Sequence, residues 1–150
     1  MRLPTKHVVV CWSLIVLSFA GFLVSLYLTY AHFRNVLPRC YVTSGCDTVI
    51  TSRYSVIAGV PLALIGTVGF VVMFYLAIAL LVSPGSRLMR AYEVLAYVGL
   101  LVAICLFLLQ AIVLRAFCSY CLAVEGIVLL LWVGSYVLTS RWRRPEAAAP

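Results

Sequence analysis

Apolar and polar positions do not alternate finely along this chain. They fall into four long apolar blocks, residues 8–30, 61–82, 91–114 and 119–138, separated by shorter polar stretches. A helix needs about 20 consecutive apolar residues to cross the hydrocarbon core of a bilayer, and each block has about that length. The pattern therefore predicts an all-α membrane protein, a bundle of four transmembrane helices in a single domain over residues 1–150. The first block is longer than the apolar core of about 7–15 residues in a signal peptide, and no convincing A-x-A cleavage site follows it, so a retained span is expected. Pro61 is acceptable in the first turn of the second span, where its missing N–H would be unpaired in any case. Ser83-Pro84-Gly85-Ser86-Arg87 reads as a plain turn. Arg115-Ala116-Phe117 is so short a connection that spans three and four must be antiparallel neighbours. The Pro/Ala tail, residues 145–150, is expected to fray.

Composition agrees with the pattern: 65% of the 150 residues are hydrophobic and 10% charged, against about 45–50% and about 25% in soluble domains. Four spans leave no room for a soluble catalytic domain, so any chemistry lies in or at the edge of the bilayer. The net charge of +7 is dispersed around the apolar blocks and reads as a topology signal, with no nucleic-acid partner expected. With four spans, both termini and the 83–90 turn share one side. That side holds Arg2, Lys6, Arg87, Arg90, Arg141, Arg143 and Arg144, seven of the eleven basic residues; Arg34, Arg39, Arg53 and Arg115 lie on the other. The bias puts the termini in the cytoplasm. The polar loop 33–57 and the start of the fourth span then face outside, where disulfides persist.

Cysteines bring chemistry into this frame. Phe117-Cys118-Ser119-Tyr120-Cys121 opens the fourth span with two thiols three apart. They can close a small-ring disulfide, and a helix N-terminus favours a thiolate there. A single C-x-x-C could also be half of a zinc site, for which Cys40 and Cys46 would be the further ligands. The outer loop flanks Cys40 and Cys46, six apart, with Pro38 and Gly45. A static staple is the plain reading of that pair. Two thiol pairs at one membrane face suit thiol–disulfide exchange, the loop pair meeting an aqueous partner and the helix pair a lipid-soluble one.

At about 100° per residue, Cys118, Cys121, Leu122, Glu125, Leu129 and Trp132 share a stripe of the fourth span. Glu125, one turn below Cys121, is an ionisable residue inside the membrane and a functional candidate by default. It is a proton donor or hydrogen-bond partner for a bound carbonyl compound, or else it pairs with Arg115 or interfacial water. Gln110, the amide of the third span, is either interhelical glue or a ligand contact. Cys11 and Cys105 are assigned to packing. His7 and His32 lack a second ligand at metal spacing, so no metal site is expected.

Together these residues resemble a bacterial-type vitamin K epoxide reductase family protein. The resemblance is carried by Cys40-x5-Cys46-Asp47-x4-Ser52-x-Tyr54-Ser55, then Gly59-Val60-Pro61-Leu62-Ala63, then Phe117-Cys118-Ser119-Tyr120-Cys121-Leu122, in that order. It implies a membrane thiol oxidoreductase that oxidises a separate thioredoxin-fold protein and passes the electrons to a quinone, ubiquinone or menaquinone/vitamin K. Disulfide formation outside the cytoplasm would follow, with a bacterial inner membrane as the location. Under the resemblance, Cys40 would take electrons through a mixed disulfide with the partner. Cys46 would relay them by attacking Cys118, and Cys121 would be the thiolate beside the quinone. It also implies a short interfacial half-helix over residues 47–53 as the roof of a quinone pocket, with Ser52, Gln110, Cys121 and Glu125 at that pocket. Vertebrate relatives carry a tyrosine at the position of Glu125. By this resemblance the chain is expected to be the four-span form without the fused thioredoxin-like domain of some bacterial members.

Three rival readings make different demands. A DsbB-type quinone reductase would carry its C-x-x-C in the first outer loop, whereas here that motif opens the fourth span. A small transporter would want a carboxylate near the midplane. A tetraspan scaffold would hold static disulfides with no chemistry. Vitamin K or epoxide reduction proper is the alternative within the resembled family.

Overall fold

The computed structural model describes residues 5–36, 40 and 45–146, the last six by their backbone path. Pro38, Arg39, Arg2 and residues 147–150 lie outside the described residues. Among the described residues, four helices are long and apolar enough to cross a membrane: α1 (Thr5–Arg34), α3 (Leu62–Val82), α4 (Ser86–Leu108, continued by a further turn to Leu114) and α5 (Ser119–Glu146). The expected all-α four-helix membrane bundle is therefore what the chain forms. A five-residue helix, α2 (Cys46–Ile50), and a single 3₁₀ turn, Arg53–Ser55, fill the connection between α1 and α3.

The only strands among the described residues are β1 (Val56–Ile57) and β2 (Val60–Pro61), a two-rung antiparallel hairpin pairing Val56 with Pro61 and Ile57 with Val60. Its two-residue turn has Ala58 at φ 50° and Gly59 at φ 82°, the backbone of a primed hairpin turn. Glycine takes that conformation freely; alanine there costs about 1 kcal/mol. Pro61 stands just outside α3, at its N-cap, where its fixed φ of −60° ends the strand and starts the helix. The turn before α4 is likewise shorter than its sequence suggests: Gly85 is the N-cap and Ser86 is already helical.

Helix α1 is the central element, packing extensively against α3 and α5; α4 leans mainly on α5 and more lightly on α3. The consequence is a division along the bundle axis. The packed core joins Cys11 and Leu14 of α1, Phe70, Met73, Ala77 and Leu80 of α3, Met89, Tyr92 and Ala96 of α4, and Leu131 and Leu138 of α5. Most of these come from the half of each helix nearer the chain termini, while Phe70, Met73, Ala96 and Leu131 stand at its boundary and also line the cavity above. The opposite half, where the cysteine-bearing connections lie, holds a cavity instead. Large side chains such as Val16, Tyr75, Ile112 and Tyr136 are exposed around the outside, as a lipid-facing surface requires. Cys11 is fully buried in the core with its sulfur 3.7 Å from His7 Nδ1, and Cys105 lies on the outer face of α4.

Candidate functional site

The end of α4 builds the site. Residues Leu109–Leu114 widen into a π-helical turn, closed by Arg115 in the left-handed region at φ 49°, ψ 34°. Such turns are rare and cluster at functional sites. This one brings Gln110, only 2% exposed, under the start of α5. The backbone carbonyl of Gln110 accepts the Ala116 N–H at 3.2 Å, and its side-chain Oε1 accepts the Cys118 N–H at 3.0 Å. Gln110 therefore holds the short connection from both its main chain and its side chain.

Cys118 is the residue before α5 and has no exposed surface. Its Sγ accepts the Cys121 N–H at 3.4 Å, the position an N-cap side chain normally fills with oxygen. A hydrogen bond from the Cys121 side chain brings the Cys118 thiol down from its ordinary 9.0 to about 7, with the Cys121 and Tyr120 amides adding to the effect and burial opposing it. This is the behaviour of the first cysteine of a C-x-x-C at a helix start. The donors of this segment converge on Cys118.

The loop pair sits directly against this segment. Cys40 and Cys46 form a disulfide with Cα atoms 5.9 Å apart, and Cys46 is 2% exposed. Ser119 Oγ donates to Cys40 Sγ at 3.9 Å. Gly45, beside Cys46, packs on the Ala116 methyl and the Phe117 backbone, beside Cys118. With Cys40 and Cys46 joined to each other, neither is a thiolate ligand for a four-cysteine zinc site. Cys118 and Cys121 are free thiols.

Below the pairs lies a cavity of about 330 Å³, between all four spans and roofed by the segment from Val49 to Ser55. Its volume is at the lower end of the range for small-molecule sites, about 300–1,000 Å³. Ser52, Gln110, Cys121 and Glu125 all reach its wall. Gln110 Nε2 donates to Glu125 Oε1 at 2.7 Å, so Glu125 is tied to the amide of α4 and not to Arg115. Its other oxygen, Oε2, is buried with no hydrogen-bond partner among the described residues. Ser52 turns its hydroxyl to the Val49 carbonyl at 2.8 Å, closing α2 on itself while lining the roof.

Two wall residues carry no pocket role in the sequence reading. His32 follows Ser25 and Leu28 along the inner face of α1, and all three line the cavity; their spacing i, i+3, i+7 is the signal that could have found it. Tyr54 lies in the roof, with its hydroxyl 3.0 Å from Arg53 Nη2. The expected stripe of α5 is also rotated. Cys121, Val124, Glu125, Val128 and Leu131 line the cavity, whereas Leu129 is 48% exposed and Trp132 faces a separate groove with Glu93 and Tyr97. Packing on α1 and α4 turns the helix slightly away from the face that the cysteines and Trp132 alone would define.

A four-span bundle with a loop disulfide, a C-x-x-C opening the last span and an apolar cavity beneath it defines a membrane redox protein. The chain matches the profile of the vitamin K epoxide reductase family over residues 12–136, and it belongs to that family. Membership places it among integral-membrane oxidoreductases of thiols and quinones, a family that works with thioredoxin-like partners.

Proposed function

We propose that this chain takes electron pairs from a separate thioredoxin-fold protein outside the cytoplasm and delivers them to a membrane quinone, so supporting disulfide formation. The observation that carries the reading is a division of labour among the four cysteines: Cys121 is on the cavity wall, while the Cys40–Cys46 disulfide lies against the segment that bears Cys118.

In the first step the partner's dithiol reduces the Cys40–Cys46 disulfide through a mixed disulfide on Cys40. Cys46 then attacks Cys118 of the oxidised helix pair, releasing Cys121 as the leaving thiolate. Attack by Cys40 on Cys46 restores the loop disulfide and leaves Cys118 and Cys121 reduced. In this scheme a chain with the loop pair disulfide-bonded and the helix pair as thiols would stand just before delivery to the quinone. In delivery the Cys118/Cys121 dithiol becomes a disulfide and the quinone a quinol, two electrons and two protons on each side.

The cavity suits that acceptor. Its walls are almost wholly apolar, with Gln110, Glu125 and Cys121 gathered at the end beneath the cysteines. A few polar groups in a low-dielectric site are worth more than the same groups in water. Along α5 the lining runs from Cys121 to Leu131, which at about 1.5 Å per residue is about 15 Å of slot directed into the bilayer. A quinone ring at the cysteine end with a prenyl tail below it fits this shape. The excess of basic residues on the side of the termini supports a site facing the periplasm of a bacterial inner membrane.

The test is turnover. Purified protein in detergent should oxidise a reduced thioredoxin-fold protein when supplied with a quinone, and Cys121→Ala should abolish this. Retained activity in that variant, or a wild-type chain inert toward every quinone tried, refutes the proposal. A static scaffold would instead change its assembly, and not its chemistry, on reduction.

A further inference from the structure

The hydrogen bonds around Gln110 have a direction that can be read without seeing hydrogens. The Cys118 backbone N–H can only donate, so the side-chain atom of Gln110 facing it at 3.0 Å must be the oxygen. The NH₂ group then faces Glu125, and Glu125 Oε1 at 2.7 Å must accept. This holds whether the carboxyl is ionised or neutral. A proton carried by Glu125 therefore has one place to sit, Oε2, which is buried and makes no hydrogen bond within the described protein.

We infer that Gln110 is a positioning residue that reserves Glu125 Oε2 as the proton-bearing oxygen, and that Glu125 uses it to move a proton from the Cys121 thiol to a carbonyl oxygen of the quinone. The inference rests on the quinone reading above and deepens it. Cys121 and Glu125 are one helical turn apart and share the cavity wall, so donor and relay stand on one face of α5.

The balance closes. Cys121 gives its proton to the carboxylate at Oε2, and the carboxyl passes it to the quinone oxygen and ends as it began. Two electrons leave the sulfurs as the Cys118–Cys121 bond forms. Cys118, whose thiol ionises near neutrality, loses its proton to the outer aqueous side, and the second quinol proton is taken from that side. The net change is dithiol plus quinone to disulfide plus quinol.

Gln110 also links this relay to the thiol pair. The same amide that orients Glu125 holds the Cys118 N–H, so displacement of the α5 start by a disulfide to Cys46 would pull on the carboxyl as well. Glu125 is thereby placed in register when Cys118 is seated at the head of the helix.

The experiment is infrared difference spectroscopy on the full chain in detergent, recorded across a pH series, with single-turnover quinone reduction by the pre-reduced protein alongside. Wild type should show a carboxylic-acid carbonyl band that Glu125→Gln removes. Gln110→Leu should move that band to higher frequency, because Oε1 is then a carbonyl without its hydrogen bond. Glu125→Gln should slow quinone reduction by about 10²-fold or more. A band that stays in place in Gln110→Leu, or wild-type quinone reduction in Glu125→Gln, overturns the inference. Because Glu125→Gln is nearly isosteric, the test survives if Gln110→Leu does not fold. A chain inert toward quinones would sink the functional reading, and the band positions would still decide where the proton sits.

Discussion

Gly45 meets Phe117 with no space for a side chain between them: a β-carbon on Gly45 would stand 2.9 Å from the Phe117 nitrogen and 2.9 Å from the Ala116 β-carbon. This contact seats the loop disulfide on the head of α5. The glycine's own backbone, at φ −104°, is one that any residue adopts, so the requirement is purely steric. Gly45→Ala should cost about 1–3 kcal/mol of overpacking, or lift the loop by a few tenths of an ångström. Either way exchange between Cys46 and Cys118 should slow, while reduction of a quinone by chemically reduced Cys118/Cys121 is retained. Stopped-flow measurement of the two half-reactions separates them, and equal losses in both would show that the contact only stabilises the fold.

The order of the relay is tested at Cys46. With Cys46→Ser, Cys40 is left as a lone thiol, and its thiolate can attack the disulfide of the oxidised partner, expelling one partner sulfur as thiolate and forming a mixed disulfide that no Cys46 thiol can break. If Cys40 is the entry point, a mixed disulfide between the partner and Cys40 should accumulate, visible on a non-reducing gel and mapped by mass spectrometry. An adduct on Cys118 instead would reverse the proposed order.

The pH dependence of the helix pair follows from Cys118. Its thiol is lowered to about 7, so in the reduced protein the thiolate fraction rises as pH climbs through 7 and is lost as pH falls below it. The stability that this ionisation lends the reduced fold has the same sign: complete above the ordinary thiol value of 9.0 and lost as pH falls through about 7. Ultraviolet thiolate absorbance, taken as the difference from Cys118→Ser, should show a midpoint near 7. Cys121→Ala removes the leading hydrogen bond and should move that midpoint upward; an unmoved midpoint would mean that the helix start alone sets it.

How much of this was legible beforehand depends on the range of the signal. The four spans announce themselves because bilayer thickness fixes a run length that sequence displays directly. The two cysteine pairs and their common side follow from the spans by counting crossings. What could not be read is the geometry set by packing. Nothing local marks the π-helical turn at Leu109–Leu114, and Arg115 is an unusual residue to place at positive φ. Glu125 offered Arg115 as its nearest partner in sequence, yet Gln110 reaches it because that turn swings the amide under α5. The hairpin turn was hidden for a similar reason, since Ala58 occupies a position where asparagine or glycine would have signalled it. The cavity itself is the product of light α3–α4 packing, which no periodicity of the separate helices encodes.

Gly69 gives the sharpest test of what the cavity accepts. It lines the wall on α3, eight residues beyond Pro61, or about 12 Å along the helix from the roof. That depth is where a prenyl tail would run if the ring lies beside Cys121. A β-carbon built on Gly69 meets no atom within 4 Å, so a larger side chain enters open space without clashing with the protein. Leucine is also the better helix former by up to about 1 kcal/mol, so Gly69→Leu should fold at least as well as wild type. It should raise KM for a long-tailed quinone by about tenfold, the value of roughly 1.4 kcal/mol of lost tail contact, and leave a tail-less quinone unaffected. Steady-state kinetics with the two acceptors on the same preparation makes the comparison. Equal effects on both would place the ring, and not the tail, at Gly69, and the orientation of the acceptor in the slot would have to be reversed.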